Sequence, residues 1–204
     1  MYKNLRHQLK HRKRPVSGKH NTKDRVSIDF RSDLINNKLR FGDWEIDLII
    51  GKDRKGAIVT IVERTTAFFL MEKLPFGKNA EQLAKIVIQM LLPYKAFVHS
   101  ITSDNGTEFA CHKKISKKLL TAFFFAHPYS SWERGLSEYT NKLVRQYIPK
   151  KSIFEHYSDQ EIKDPCTELV SVTQHKINRR PRKNLKYENP KNLSFKFVPK
   201  SCIC

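Results

Sequence analysis

The sequence predicts an α/β fold, a mixed sheet with helices on both faces, and three observations predict it. Hydrophobic spacing alternates between a period of two and the helical period, in the order β-β-β-α-β-α-β-α. Apolar residues are 39% of 204, enough for one core of ordinary size. The formal charge of +19 lies mostly outside the patterned region: residues 1–40 carry +9, residues 41–141 only +2, and residues 142–204 +8. The middle therefore folds while basic flanks face a polyanion, for which nucleic acid is the natural partner.

Each element has a local reason. Residues 1–25, with the run HQLKHRKRP, hold few apolar positions and read as a basic arm, so the domain division is 1–33 arm, 34–158 core, and 159–204 C-terminal helix and basic tail. In GDWEIDLIIG, Trp44, Ile46, Leu48 and Ile50 alternate with Glu45, Asp47 and Ile49, which predicts a strand with Glu45 and Asp47 on one face. A polar turn at 52–56, a β-branched run at 57–62, a turn at 63–66 and an extended run at 67–74 complete an antiparallel meander. Ala80, Leu83, Ala84, Val87 and Leu91 then sit at helical spacing, with Asn79 as N-cap and Pro93 as stop. A strand at 97–102 ends in Ser103-Asp104-Asn105-Gly106, a turn sequence. A helix around 112–120, a strand at 122–126, a long helix from about 132 to 147 and a last helix over 159–178 follow.

The longest apolar stretches, such as 86–92, fall far short of the roughly 20 residues that span a bilayer, and no apolar segment follows the basic N-terminus as a secretory signal requires. The expectation is a cytoplasmic, nucleoid-associated bacterial protein. Cys111, Cys166, Cys202 and Cys204 match no zinc-site spacing and read as free thiols. No glycine-rich phosphate loop is present, so no nucleotide cofactor is expected.

Three carboxylates stand out. Asp gains little from packing in a strand, so Asp47 inside an apolar run suggests a metal ligand, although a solvent-facing Asp on an edge strand would look the same. Asp104 falls where open α/β sheets present ligands, yet SDNG is also an ordinary Asx turn. On the long helix Glu138, Lys142 and Arg145 share a face opposite Leu136, Leu143 and Tyr147; a surface helix with a Glu–Lys pair fits that pattern too. Taken together, the three suit phosphodiester chemistry. There two Mg²⁺ ions (Mn²⁺ substituting) activate an attacking hydroxyl and stabilise the leaving oxygen while nearby cations offset backbone charge. His127 and Trp132 read as structural, with Trp132 packed under the helix, and Arg134 as a phosphate contact. Arg179, Arg180, Arg182 and Lys183 read either as a phosphate-binding cluster or as a solvated basic face.

The runs GDWEIDLIIGK, KGAIVTIVER, SDNGTEFA, FFFAHPYSSWERG and INRRPRKNL, spread over about residues 25–195, resemble the catalytic core of DDE-type insertion-sequence transposases, closely that of the IS-thirty family. The resemblance implies a ribonuclease-H-like fold with a mixed five-stranded sheet, shared with retroviral integrases, and an enzyme that cleaves and transfers DNA strands. Matched by motif, the catalytic and metal-binding residues are Asp47, Asp104 and Glu138, with 33 residues between the last two as in the family; Glu133 would leave only 28. Lys142 and Arg145 occupy places that contact the DNA end in integrases of this fold. Element ends, target DNA and further copies of the chain are the implied partners. Ser137 stands where the family has Asn, and residues 164–173 look like extra sequence. Met1 falls within the basic linker, which implies a truncated transposase without its helix-turn-helix end-recognition domain. A non-catalytic DNA-binding remnant is the rival reading.

Overall fold

The computed structural model describes residues 24–54, 56–74, 79–150, 152 and 165–199. Most of the expected arm, the first residues of the expected last helix and the terminal cysteines Cys202 and Cys204 lie outside them. The strands are β1 (Val26–Ser27), β2 (Asp43–Ile50), β3 (Ala57–Glu63), β4 (Phe69–Leu74), β5 (Ser100–Ser103) and β6 (Ala122–Phe125). The helices are α1 (Asp33–Asn36), α2 (Ala80–Leu91), α3 (His112–Leu119), α4 (Gly135–Val144), α5 (Pro165–Arg179) and α6 (Pro190–Ser194).

The sheet runs β1-β6-β5-β2-β3-β4. The meander β2-β3-β4 is antiparallel, whereas β2, β5, β6 and β1 pair in parallel. The sheet thus has six strands, not five. The sixth is two residues long and comes from the segment assigned by sequence to the arm: Val26 pairs with Phe124 and Ser27 with Phe125. Two residues carry too little periodicity to be read in advance.

Alternation along the strands sends side chains to two cores. On one face Trp44, Ile46, Val59 and Ile61 pack with Leu83, Val87 and Leu91 of α2 and with Ile115 and Leu119 of α3. On the other, Ile49, Ile58, Val62, Phe69 and Met71 pack with Leu143 and Val144 of α4 and with Val170 and Ile177 of α5. Asn79 caps α2 as expected, its side chain accepting from the N–H groups of Glu81 and Gln82. Pro93 changes the helix type without ending the coil, because a 3₁₀ segment continues over Leu92–Phe97.

Helix α5 belongs to the sheet and not to a tail. Edge strand β4 would expose free backbone groups. Asn178 meets both groups of Phe69, accepting from its N–H at 2.8 Å and donating to its carbonyl at 2.7 Å, and Gln174 accepts from Met71 N–H at 2.7 Å. The boundaries at 33 and 159 therefore fall beside segments integral to the packed unit.

Candidate active site

Strand register builds the site. Parallel β2 and β5 pair Asp43 with Ser100 and Glu45 with Thr102, and Asp47 and Asp104 each lie two residues beyond that last pair. Both carboxylates thus rise where the two strands end their pairing, beside α4.

Asp47 is held on three sides. Its Oδ1 accepts from Leu48 N–H at 2.9 Å, its Oδ2 accepts from the Asn141 amide at 2.9 Å, and Arg134 stands 3.4 Å from Oδ1. Burial pushes this carboxyl above the ordinary carboxylate range, Arg134 and the Leu48 N–H oppose the rise, and neighbouring Asp104 adds to it. Asp104 adopts the Asx turn its sequence suggested, with Oδ1 accepting from Gly106 N–H at 2.9 Å. Its Oδ2 lies 3.5 Å from Arg134.

The Asp104 loop is fastened from outside. Arg25, stacked 4.6 Å over the Phe125 ring, donates to the Asn105 carbonyl and side chain, both at 2.9 Å, and to the Gly106 carbonyl at 3.0 Å. Asn105 in turn donates to the Ala126 carbonyl.

The guanidinium of Arg134 is the hub. It touches one oxygen of each aspartate, donates to the Ile46 carbonyl at 3.2 Å, and its side chain is only 11% exposed. Arg134 belongs to the 3₁₀ turn Ser131–Arg134 that leads into α4, so the long helix expected from Trp132 is a 3₁₀ turn followed by α4. Trp132 is 74% exposed and does not pack under the helix, because the turn swings it outward.

Helix α4 runs along β2. Ser137 N–H donates to Glu45 at 2.9 Å, which places a carboxylate at the positive end of the helix dipole; Asn141 reaches Asp47; and Arg145 donates to the carbonyls of Ile50 at 3.3 Å and Pro149 at 3.1 Å. Glu45 is fully buried and paired with Arg64. Beside that pair Arg31 is pushed down to about 10, by burial first and then by the Arg64 charge. Glu138 is half-exposed and lies 3.4 Å from Lys142. Glu133 is committed elsewhere: it accepts from both the backbone and Nδ1 of His127, each at 2.8 Å, while the other ring nitrogen meets Asp29 at 3.0 Å. These carboxylates hold the His127 imidazole above its ordinary value, Glu133 contributing most.

The basic cluster divides. Arg179, Arg180 and Lys183 are exposed, whereas Arg182 is 4% exposed and none of its guanidinium nitrogens has a hydrogen-bond partner among the described residues. Arg180 donates to Gln146 at 3.1 Å.

Two carboxylates bracketing one cationic group make a donor set that suits a metal cation. No group of three His, Cys, Asp or Glu side chains close enough to hold one occurs among the described residues, since Glu138 points to Lys142. The fit is therefore to the Asp47–Asp104 pair, with Glu138 one helical turn from Arg134.

The curated relatives that the chain matches include insertion-sequence transposases. The chain is 47% identical over 174 residues to the transposase of insertion sequence element IS4351 from Bacteroides fragilis, across 85% of this chain and 50% of that one. It is 38% identical to a probable transposase for element IS1161 of Streptococcus salivarius over 93% of this chain and 51% of that one. It is 32% identical to the InsI transposase of element IS30A from Escherichia coli K12, over 93% of this chain and 47% of that one. Over most of its length the chain is thus similar to insertion-sequence transposases, one of them from an IS30 element. It spans about half the length of the curated relatives it matches, and no family model matches it. Among solved structures, the catalytic core domain of BIV integrase superposes with a TM-score of 0.56 at 18% identity, over 76% of this chain and 93% of that one. A chain of the simian T-cell lymphotropic virus intasome superposes at 0.59 and 14% identity, over 79% and 56%. The fold of this transposase homologue is thus that of retroviral integrase cores, ribonuclease-H-like. No helix among its described residues is long and apolar enough to cross a membrane.

Sequence reasoning missed Glu45, Asn141 and Arg25 as supports of the site. A signal existed for Asn141, three residues after Glu138 on the same helix face; Arg25 offered none.

Proposed function

We propose that this chain is the catalytic core of an enzyme that cleaves and transfers DNA strands, with water or a DNA 3′-hydroxyl attacking a phosphodiester in line. The observation that carries the reading is the convergence of Asp47 and Asp104 on one cationic position where parallel β2 and β5 stop pairing, next to the helix that bears Glu138. Asp47, Asp104 and, after turning from Lys142, Glu138 would hold divalent magnesium or manganese. When bound, such ions lower the pKa of the attacking hydroxyl and stabilise the leaving oxygen. Asn141 and Leu48 N–H orient Asp47, while Gly106 N–H and Arg25 orient the Asp104 loop. Arg134 and Lys142 would meet the phosphate charge, and the basic flanks would hold element ends and target DNA. An assembly of several copies on DNA belongs to the same proposal, since one structural neighbour is an intasome chain.

The test is cleavage of labelled element-end DNA in Mg²⁺ or Mn²⁺, with Asp104→Ala as control. Metal-dependent nicking lost in the variant supports the reading. The pairing of Glu138 with Lys142 favours the second reading, a DNA-binding protein without catalysis. Wild type that binds the DNA and nicks it in neither metal establishes that one.

A further inference from the structure

Two residues before Asp47 on the same face of β2, Glu45 lines a cleft of about 820 Å³ whose other walls include Lys38, Arg64, Trp132, Tyr139 and Lys183. Its carboxylates are already spoken for: Glu45 by Arg64 and Ser137 N–H, and Glu133, which also borders it, by His127. The charges left over are cationic. Lys38 and Lys183 are exposed and pair with no carboxylate that the described structure brings to them.

Two features of the cleft are costly for a free protein and call for a ligand. Trp132 holds its ring 74% exposed, and Tyr139 is 51% exposed, where aromatic surface would ordinarily be buried. Arg182 does not line the cleft but lies behind it, next in sequence to the cleft residues Lys183 and Asn184, and buries a guanidinium with all three nitrogens unpartnered among the described residues. The groups nearest it electrostatically are Tyr139 of the cleft and Arg180, so no carboxylate offsets its charge. A guanidinium stays charged in a protein, and a buried charge needs an anion.

An exposed indole beside unpaired cations is the arrangement that receives an unstacked base with its phosphate. We infer that this cleft binds one unpaired nucleotide of a DNA strand, with the base against Trp132 and the phosphate at Lys183, drawn by the buried charge of Arg182 behind it. The inference rests on the reading that this chain handles DNA, and it deepens it. Trp132 lies two residues before Arg134, which touches both Asp47 and Asp104, so the cleft borders the turn that reaches the carboxylate pair. An unpaired nucleotide held there fixes the register of the strand over the site and requires the duplex to open locally.

The chain offers its own probe, because it has two tryptophans and Trp44 is fully buried. In EDTA, an eight-nucleotide single strand should quench the exposed Trp132 emission and a duplex with a splayed end should do the same, while a blunt duplex and a single strand with abasic sites should not. Trp132→Ala should weaken single-strand binding roughly 5- to 150-fold, the range carried by base–aromatic stacking, and Trp132→Phe should restore most of it. Lys183→Ala, a change at an exposed position that the fold tolerates, should lower the slope of log K against log salt by about 0.7. Quenching by abasic and intact strands alike, equal quenching by a blunt duplex, or unchanged affinity of Trp132→Ala overturns the inference. Asp104→Ala should leave this binding intact while abolishing cleavage, so failure here and failure of the proposed chemistry are read separately.

Discussion

Replacing Arg134 with Gln removes the one cation that Asp47 and Asp104 share. At 3.4–3.5 Å and an effective dielectric near 20, each ion pair has a Coulomb energy of about 5 kcal/mol, most of it offset by the desolvation of the groups. Stripping a partner from a buried pair costs about 3–5 kcal/mol, and that figure applies best to Asp47, whose side chain is 24% exposed. Asp104 is 40% exposed, so its pairing adds at most about 1 kcal/mol. With Gln keeping some hydrogen bonding, the metal-free variant should lose about 2–4 kcal/mol, or about 4–16 °C in Tm for a domain of this size. A divalent cation should recover more stability in the variant than in wild type, because nothing positive has to leave the carboxylates first; at a hundredfold excess over Kd the gain from binding is about 2.7 kcal/mol. Thermal unfolding of both proteins in EDTA and across a Mg²⁺ and Mn²⁺ titration measures this. A Tm change below about 2 °C in EDTA together with equal metal gains in the two proteins would refute the assignment of Arg134 as the counter-ion of the pair.

Glu138→Gln should abolish metal-dependent nicking at a stability cost of only about 0.3–0.5 kcal/mol, the worth of its exposed pair with Lys142, whereas Glu133→Gln should retain nicking and loosen the His127 loop; nicking assays and urea midpoints separate the two. Because Glu133 and Asp29 raise the folded-state pKa of His127, its contribution to stability is complete below its ordinary value near pH 6.5 and is lost as pH rises through the raised value. Urea midpoints from pH 5.5 to 8.5 should therefore fall more steeply for wild type than for His127→Gln, and parallel curves would contradict the clamp. Deleting residues 1–23, which removes eight Lys and Arg but spares Arg25, should make the salt dependence of DNA binding shallower by about 0.9 for every phosphate that the segment neutralises, and an unchanged slope would show that it neutralises none.

The meander, the cap of α2 by Asn79 and the placement of Asp104 at a strand end were legible because each is written within a few neighbouring residues. Glu138 was singled out by its distance from Asp104 within a recognised motif, not by its own helix face, which looks like any solvated Glu–Lys pair. Trp132 was misplaced because helical spacing was carried back through a 3₁₀ turn that points the ring to solvent.

By itself the sequence determined the alternation and periodicity that commit segments to strand or helix, and it singled out three carboxylates by their spacing. Tertiary structure alone decided the partners. Arg134 lies 87 positions from Asp47 and 30 from Asp104, Asn141 lies 94 from Asp47, and Arg25 lies 80 from Asn105. The same holds for the sealing of β4 by Asn178 and Gln174 and for the burial of Arg182 without an anion. The physical reason is range: backbone preference and side-chain face are set by residues within one turn or pleat, whereas a charge acquires its counter-ion only when packed helices and strands bring distant positions within a few ångströms.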